Sequence, residues 1–357
     1  MNEVSSARIF ALSNQLLVKK NENLDLTFSL IDRVVNINFS DIGLHKQYSS
    51  SFMHHPQTTS ENCDLEIFVI GSKNLPINSE FVSLVDKMRE TSKSAQNSPI
   101  YFSSNDQFNI SAQWNSKGEI STIYLYLKNT KKAVAWINTE ATESLHDDDE
   151  IMSIAAPFRA ILAWHYVQNG FYLFHASAIG NANAGVAFVG QSGSGKSSTS
   201  LICLNSNLQY CGDDSVLVSN QAVPRIHSLY CSARLNVEDL RYYPLLQSKV
   251  SASNKGKECI YFSPGLESLL VSDIPLVAMI IPKLVADAKT SYQKVSKIEM
   301  LAALAASSLL HVPGRDSSAE FKSFSEIVDK ISCYRMNLGR DREDIPKYVQ
   351  EILNSNI

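Results

Sequence analysis

The chain has 357 residues, which is enough for about two domains, and 44% of its residues are hydrophobic while 19% are charged. Its 36 acidic and 32 basic residues give a net charge of −4, which argues against a protein that coats nucleic acid or an anionic membrane. The six cysteines form no C-x-x-C pair, so they indicate reduced, buried thiols rather than a disulfide framework or a zinc site. We therefore expect a cytoplasmic protein with neither a nucleic-acid nor a membrane partner.

The first 150 residues alternate apolar and polar side chains, a pattern that predicts half-buried, mostly antiparallel strands. The predicted strands are 24–38, 65–70, 107–114, 120–128 and 133–138. One predicted helix, over residues 78–90, and two predicted loops, at 47–62 and 90–98, interrupt them. The pattern indicates a β-rich α+β domain over residues 1–150, in which we expect recognition of a substrate or partner.

An acidic stretch over residues 143–150 precedes the second half of the chain. His146 is followed there by three aspartates, Asp147 to Asp149, and such a group could suggest a metal site. Consecutive acidic residues more often form the solvated start of a helix, where the helix dipole favours negative charge. No metal site is therefore assigned to this stretch.

Residues 151–357 combine strand and helix patterns, and the shift in composition near residue 150 predicts a domain boundary there. The predicted helices are 151–169, 197–205, 297–310, 317–331 and 345–353. The predicted strands are 171–179, 185–189, 216–219, 225–227 and 276–282. The second domain is thus expected to be of the α/β class.

The strongest motif is the octapeptide GQSGSGKS at 190–197, which fits G-x-x-x-x-G-K-[ST] in full and follows the apolar run 186–189. Glycines let successive backbone N–H groups converge on phosphate oxygens, and the start of the following helix adds partial positive charge. Lys196 is expected to bridge the β- and γ-phosphates, and Ser197 to offer a hydroxyl to Mg²⁺. The predicted nucleotide-binding residues are Gly190, Ser192, Gly193, Ser194, Gly195, Lys196, Ser197 and Ser198.

Two adjacent aspartates, Asp213 and Asp214, follow Lys196 at the distance of about one helix and a turn, and an apolar strand comes after them. The sequence has no usual Walker B strand, no Asn-Lys-x-Asp guanine motif and no Leu-Ser-Gly-Gly-Gln transporter signature. One carboxylate beside a nucleotide can hold Mg²⁺, while the other accepts the proton of an attacking hydroxyl. The pair therefore indicates phosphoryl transfer, with the order of the two roles open.

Three segments together resemble the catalytic domain of the HPr serine kinase/phosphorylase family: Phe174-His175-Ala176-Ser177, the 190–197 loop and Gly212-Asp213-Asp214-Ser215. That domain is itself similar to the nucleotide core of phosphoenolpyruvate carboxykinase. The resemblance covers roughly residues 165–285 and implies an α/β, HPr kinase/PEP carboxykinase-like P-loop core preceded by the β-rich α+β domain. It implies an ATP- and Mg²⁺-dependent kinase that transfers the γ-phosphoryl group to a serine-type hydroxyl of a peptide, protein or small molecule.

The resemblance also implies roles for single residues. Asp213 would be the general base and Asp214 the carboxylate associated with Mg²⁺, with their order open, and His175 would lie near the transferred phosphate. Because charge spreads over the γ-phosphoryl oxygens, further arginines are expected at the site. The arginines considered are Arg225, Arg234, Arg315 and Arg340, and the assigned phosphate contacts are Arg234 and Arg315.

Two departures set the chain apart from the kinase/phosphorylase proper. Ser198 stands where that protein usually has glutamate, and residues 224–235 lack the glycine-rich signature linked to dephosphorylation. The chain resembles more closely the stand-alone HPr-kinase-like proteins, such as kinases encoded with lasso-peptide or exopolysaccharide biosynthesis. A biosynthetic precursor peptide is accordingly one candidate acceptor. The resemblance also leaves a homo-oligomer open, and the choice of ATP over GTP comes from it alone.

Two alternative functions stay open at this point. The first is a nucleotide-binding sensor or scaffold with little catalysis, in which residues 1–150 hold a partner. The second is a carboxykinase that acts on a small acid, which would need additional arginines and metal ligands. An intact aspartate pair beside the phosphate loop argues against the sensor, and the sequence does not place the additional residues that the carboxykinase would need.

Overall fold

The structure is a computed structural model, and the residues it describes are 24–60, 62–73, 100–115, 119–140, 153–247, 249–254, 257–286, 289–309, 312–314 and 316–356. They form a mixed α/β chain with several sheets and helices, which divides into two compact units. The first unit takes the described residues of Met1–Ser49, His55–Glu150 and Phe158–His165, and the second takes those of Ser50–His54, Ile151–Pro157 and Tyr166–Ile357. The predicted helix 78–90, the predicted loop 90–98 and the acidic stretch 143–150 lie outside the described residues.

The first unit is built on a seven-stranded sheet with the order β1-β2-β3-β7-β6-β5-β4. Its strands are β1 (Asp25–Leu30), β2 (Arg33–Phe39), β3 (Leu65–Ser72), β4 (Ile100–Ser104), β5 (Phe108–Trp114), β6 (Ile120–Leu127) and β7 (Lys132–Asn138). The pairs β2–β3 and β3–β7 are parallel and the other four pairs are antiparallel, so the prediction of mostly antiparallel strands is confirmed. The predicted strand 24–38 is a hairpin, because Ile31 and Asp32 both adopt positive φ, as a tight two-residue turn requires.

Two helical segments of the first unit correct the sequence predictions. Helix α1 (Ile42–Ser49) extends into the predicted loop 47–62, and its first turn is capped by Asp41, whose Oδ1 accepts from the Leu44 backbone N–H. The prediction of one helix over 151–169 is corrected by a break, because residues 153–155 are helical and helix α2 then covers Arg159–Val167. Pro157 lacks a backbone N–H, and Phe158 adopts a φ of +57°, so the helix begins after both.

The second unit holds a nine-stranded sheet and a three-stranded sheet. The strands are β8 (Phe171–Phe174), β9 (Ala176–Gly180), β10 (Gly185–Val189), β11 (Gln209–Gly212), β12 (Val216–Ser219), β13 (Arg225–Ser228), β14 (Ser232–Asn236), β15 (Val250–Asn254), β16 (Lys257–Tyr261), β17 (Asp273–Leu284), β18 (Ser291–Lys294) and β19 (Ser332–Leu338). The larger sheet has the order β11-β9-β10-β17-β13-β12-β8, with β19 between β17 and β18, and the smaller sheet has the order β14-β16-β15. Strand β17 is parallel to both β10 and β19, so these three strands end at the same edge of the sheet.

Among its described residues, the second unit contains the helices α3 (Lys196–Ile202), α4 (Pro244–Gln247), α5 (Lys297–Ser308), α6 (Ser317–Asp329) and α7 (Ile345–Asn354). Both long helices before β19 start at a side-chain cap, since Ser296 accepts from the Glu299 N–H and Asp316 accepts from two N–H groups of α6. The predicted helices 297–310, 317–331 and 345–353 are confirmed within a few residues. In the described part of the chain, no helix combines the length and apolar character needed to cross a membrane.

The alternation of side chains along β10 shows how the sheet of the second unit is buried. Val186 and Phe188 join a core that includes residues of α3 and α7, while Ala187 and Val189 join a core that includes residues of α5 and α6. Apolar cores on both faces explain why β10 reads as a continuous apolar run rather than an alternating one. The strand therefore carries the loop that follows it on a rigid, fully buried base.

Candidate active site

The octapeptide 190–197 joins β10 to α3, and its glycines are explained by the backbone that they adopt. Gly190, Gly193 and Gly195 have φ values of +144°, +79° and +100°, a region that favours glycine over residues with a side chain. A Cβ added to Gly195 would lie 2.7 Å from Leu338 Cδ1. The loop thus needs glycine for its conformation, and at Gly195 also for its close approach to a neighbouring strand.

The Lys196 side chain is buried against the loop. Its ammonium donates to the carbonyl oxygens of Gly190 (2.7 Å) and Gln191 (3.1 Å), while its own backbone oxygen accepts from Ser177 Oγ of β9 at 2.9 Å. Burial lowers the pKa of this ammonium, and the negative charges of Asp213 and Asp214 oppose that shift. A positive charge is therefore held within the loop itself.

Asp213 directly follows β11 and places a buried carboxylate beside the start of α3. The Ser197 hydroxyl donates to Asp213 Oδ1 at 2.8 Å. Burial, and next the charge of Asp214, raise the pKa of the Asp213 carboxyl to about 6, against the Ser197 hydrogen bond and the positive charges of Arg234 and Lys196. The motif serine and the first aspartate thus form one hydrogen-bonded pair.

The second carboxylate, Asp214, has a different environment because the chain turns tightly between the two. Asp214 adopts a φ of +65°, and its Oδ1 lies 3.0 Å from Arg234 Nη2 and 3.4 Å from His175 Nδ1. His175 Nδ1 also lies 2.9 Å from the Asp214 backbone oxygen, which can only accept, so Nδ1 carries a proton and donates. The His175 backbone N–H donates to Ser308 Oγ at 3.0 Å.

His175 marks the place where the predicted strand 171–179 divides. The chain forms β8 before it and β9 after it, and these two strands pair with different neighbours, β12 and β10 respectively. The break at His175 brings its ring to the turn that carries Asp214. One uninterrupted strand over 171–179, as the apolar pattern predicts, would not account for the contact between the His175 ring and the turn at Asp214.

A cavity of about 380 Å³ opens beside the loop, within the size range of small-ligand sites. It is lined by four features that the sequence predicted: loop residues, His175, Asp214 and Arg234. Asp213 is not among the lining residues. The lining residues that sequence analysis missed include Asn236, Asp239, Leu284, Leu338, Gly339 and Arg342.

The remaining predicted arginines do not join this group in the described chain. Arg225 pairs with Asp273, on the neighbouring strand β17, and does not line the cavity. Arg340 is exposed and is also not a lining residue. Arg315 lies outside the described residues, so its assignment stays a prediction.

The oxygen donors at the loop fit Mg²⁺ better than a metal held by protein ligands alone. Among the described residues, no three His, Cys, Asp or Glu side chains are grouped to hold a metal ion. Mg²⁺ usually takes one or two carboxylates and completes its shell with water and substrate phosphates, and Ser197 with Asp213 offers such a set. Among the residues that the structure describes, Ser194 Oγ and Thr199 Oγ1 are buried at the loop without a hydrogen-bond partner, as expected where a polar ligand binds.

The fold and the site together define a mixed α/β protein with a phosphate-loop sequence between a buried strand and a helix. No family model and no curated protein matches the chain. Among solved structures, the chain is similar to the HPr(Ser) kinase/phosphatase from Coxiella burnetii, with 11% identity and a TM-score of 0.26, over 51% of this chain and 94% of that one. A likeness at this level carries no argument about function.

Proposed function

We propose that the chain is an ATP- and Mg²⁺-dependent kinase that transfers the γ-phosphoryl group to a serine-type hydroxyl of a peptide, protein or small molecule. The observation that carries the proposal is the meeting of two carboxylates with a phosphate-loop lysine and serine beside one cavity. Phosphoryl transfer needs positioning, positive charge and one proton acceptor, and this set supplies all three. A biosynthetic precursor peptide is the acceptor that the sequence resemblance favours.

The two aspartates differ in a way that supports a division of labour. Asp213 is buried and accepts a hydrogen bond from the hydroxyl of Ser197, which lines the cavity, so Ser197 and Asp213 are the residues that would hold Mg²⁺. Asp214 lines the cavity, so it is the carboxylate that an incoming hydroxyl can reach. This order is the reverse of the one first implied by the resemblance.

The proposed reaction moves one proton and one phosphoryl group. The acceptor hydroxyl gives its proton to Asp214, its oxygen forms a bond to the γ-phosphorus, and the bond to the bridging oxygen breaks so that ADP leaves. Lys196 and Arg234 offset the charge on the γ-phosphoryl oxygens. His175, whose Nδ1–H faces the Asp214 backbone oxygen and Oδ1, holds the base in place.

A nucleotide-binding sensor with little catalysis is the second candidate. The observation that favours it is the ion pair between Arg234 and Asp214, which are both mostly buried. A guanidinium at that distance stabilises the charged carboxylate and so weakens it as a base. In the kinase, Arg234 must instead move toward phosphate when the nucleotide binds.

The test combines nucleotide binding with transfer of label from γ-labelled ATP to serine peptides, a peptide ending in serine, and sugars. Lys196→Ala should lose MgATP binding, and Asp214→Asn should keep binding while transfer falls by about 10²–10⁴-fold. The exposed Lys322 and Asp329 of α6 supply matched controls, Lys322→Ala and Asp329→Asn, which should behave as the wild type.

The outcomes separate the two candidates. Full transfer by Lys196→Ala and Asp214→Asn would contradict the proposed site. Tight MgATP binding with no transfer to any acceptor, and no difference between wild type and Asp214→Asn, would favour the sensor. An Asp213→Asn variant that loses Mg²⁺-dependent binding, beside an Asp214→Asn variant that keeps it, would support the division of labour between the carboxylates.

A further inference from the structure

Two leucines next to the phosphate loop have no part in the proposed chemistry. Leu284 and Leu338 are the last residues of the adjacent parallel strands β17 and β19 and are partners in register. Both side chains lie near Gly195 of the loop. A Cβ built on Gly195 would be 2.7 Å from Leu338 Cδ1 and 3.7 Å from Leu284 Cδ2. Leu338 is buried, but Leu284 is 62% exposed although it lines the cavity. An apolar surface offers no hydrogen bonds to phosphate, so its position beside a phosphate loop indicates contact with an apolar part of the ligand.

A polar cluster completes this part of the cavity lining. Arg342 Nη1 donates to Asp239 Oδ1 at 3.0 Å, and the Arg342 guanidinium lies 4.7 Å from the centre of the Tyr242 ring. Both Arg342 and Asp239 line the cavity. The Tyr243 hydroxyl donates to the Ser198 backbone oxygen at 3.0 Å, which ties this segment to the first turn of α3. The guanidinium is thus held between a carboxylate and an aromatic ring.

We propose that these residues form the nucleoside subsite of the donor: the base lies against Leu284 and Leu338, and the Arg342–Asp239 pair meets the ribose hydroxyls. A nucleoside presents a flat apolar ring and a diol, and the diol needs both donors and acceptors. The leucines supply apolar contact, the guanidinium supplies donors and the carboxylate supplies acceptors. The proposal rests on the proposed function for the phosphate loop and goes beyond it by naming the residues that distinguish a nucleotide from bare polyphosphate.

The alternative occupant of the leucine surface is the acceptor, and contact geometry favours the nucleoside. The acceptor hydroxyl must reach Asp214, whose side chain contacts His175 and Arg234. The two leucines contact the loop at Gly195, beside the residue that carries the phosphate-binding ammonium. The leucines should therefore affect donor binding in the absence of any acceptor.

The experiment compares the binding of MgATP and of magnesium tripolyphosphate by calorimetry, without acceptor. Leu284→Ser and Arg342→Ala are the test variants. Leu245, which is 59% exposed on α4, and Arg241, which lies 4.9 Å from the same Tyr242 ring outside the cavity lining, supply the controls Leu245→Ser and Arg241→Ala. Lys196→Ala reports on the phosphate loop itself.

We expect Leu284→Ser and Arg342→Ala each to weaken MgATP binding about tenfold, while tripolyphosphate binding changes less than about twofold. Both control variants should bind both ligands as the wild type does. Leu284 is exposed, so its variant tests the proposal even if Arg342→Ala unfolds.

Three results would overturn the subsite. Equal losses for both ligands would show that the residues only support the loop, and no loss for either would place the nucleoside elsewhere. A wild type that binds tripolyphosphate as tightly as MgATP would also overturn it, but would leave the proposed function standing. A wild type that binds neither ligand would overturn both the subsite and the proposed function.

Discussion

The described parts of the two units differ in whether they bury acidic and basic side chains. In the described part of the first unit, no Lys, Arg, Asp or Glu side chain is buried, and the buried polar residues are neutral ones such as Asn36, Asn109 and His165. The second unit buries Lys196 and Asp213 within one loop region, with Asp214 and its partners beside them. Burying a charge costs several kcal/mol unless it is paired, so such clusters usually mark a site rather than a core.

Buried charge, rather than buried apolar surface, distinguishes the unit that carries the candidate site. Both units have extensive apolar cores, so burial of apolar residues does not separate them. The distribution of charge does, because opposite charges at 3 Å in a buried place restrict one another's protonation and geometry.

The largest effect is expected at the loop glycine that contacts a neighbouring strand. In Gly195→Ala, the new Cβ meets Leu338 Cδ1 at 2.7 Å in a backbone with a φ of +100°, so the Leu338 side chain or the loop must shift and the backbone is strained. We expect MgATP binding to weaken by about 100-fold or more and the free energy of unfolding to fall by about 1–3 kcal/mol. Calorimetric titration and urea denaturation measure the two effects.

Gly170→Ala is the matched control for this change. Gly170 also has a positive φ, +80°, but a Cβ there would meet nothing within 4 Å. Its variant should lose about 1 kcal/mol of stability through backbone strain alone and keep MgATP binding. Equal binding losses in both variants would mean that the contact with Leu338 does not matter to the loop.

Much of the candidate site could be predicted from sequence because it is local. The loop follows its strand and precedes its helix directly, so Gly190 to Ser197 needed only the covalent order of the chain. Leu284, Leu338 and Arg342 were missed because they come from segments far along the chain. The parallel pairing of β10, β17 and β19 brings Leu284 and Leu338 to the loop. This pairing joins strands that are far apart in the sequence, so no local pattern predicts it.

Backbone details account for the other differences. The apolar pattern of 151–169 predicts one helix, but a single proline divides it. The apolar run of 171–179 predicts one strand, but the strand is interrupted at His175. The roles of Asp213 and Asp214 could not be ordered from sequence, because adjacent identical residues differ only through the turn at Asp214, whose φ is +65°. Strands β14 to β16 carry no clear alternation and were not predicted.

A smaller effect is expected from the buried charge of the second unit. The folded pKa of Asp213, about 6, lies above its ordinary value of 3.8, so the folded state binds a proton more readily than the unfolded state does. The stabilising effect of that proton is present below pH 3.8 and is lost as the pH rises through 6. Without Mg²⁺ at pH 7, Asp213→Asn should therefore raise the free energy of unfolding by about 1–3 kcal/mol.

Thermal unfolding between pH 4 and 7 tests this prediction. The variant should gain stability at neutral pH and lose the slope between pH 4 and 6, where the wild-type group titrates. Asp329→Asn, at an exposed position of α6, should change neither. A less stable Asp213→Asn variant at pH 7 would show that the carboxylate is held mainly by its partners and does not destabilise the fold.

The first unit should respond to acid in the opposite direction, through His165. Burial first, and then the charges of Arg33 and Lys131, lower its pKa from 6.5 to about 4, and its Nδ1 lies 3.2 Å from the buried Tyr126 hydroxyl. The stability contributed by the neutral ring is present above pH 6.5 and is lost as the pH falls through 4. The full loss is about 3 kcal/mol, of which about 2 kcal/mol is expected by pH 5.

His165→Asn keeps a polar atom near the Tyr126 hydroxyl but removes the titration, so its stability should change little between pH 6.5 and 4. At pH 7 the variant should lose only about 1 kcal/mol, for the shape change and the altered hydrogen bond. If the two units unfold in separate calorimetric transitions, acid should lower one wild-type midpoint and raise the other, and each variant should flatten only its own. Two midpoints that shift in the same direction would contradict the difference between the units. Acid should destabilise a fold that buries a neutral base and stabilise a fold that buries a charged acid.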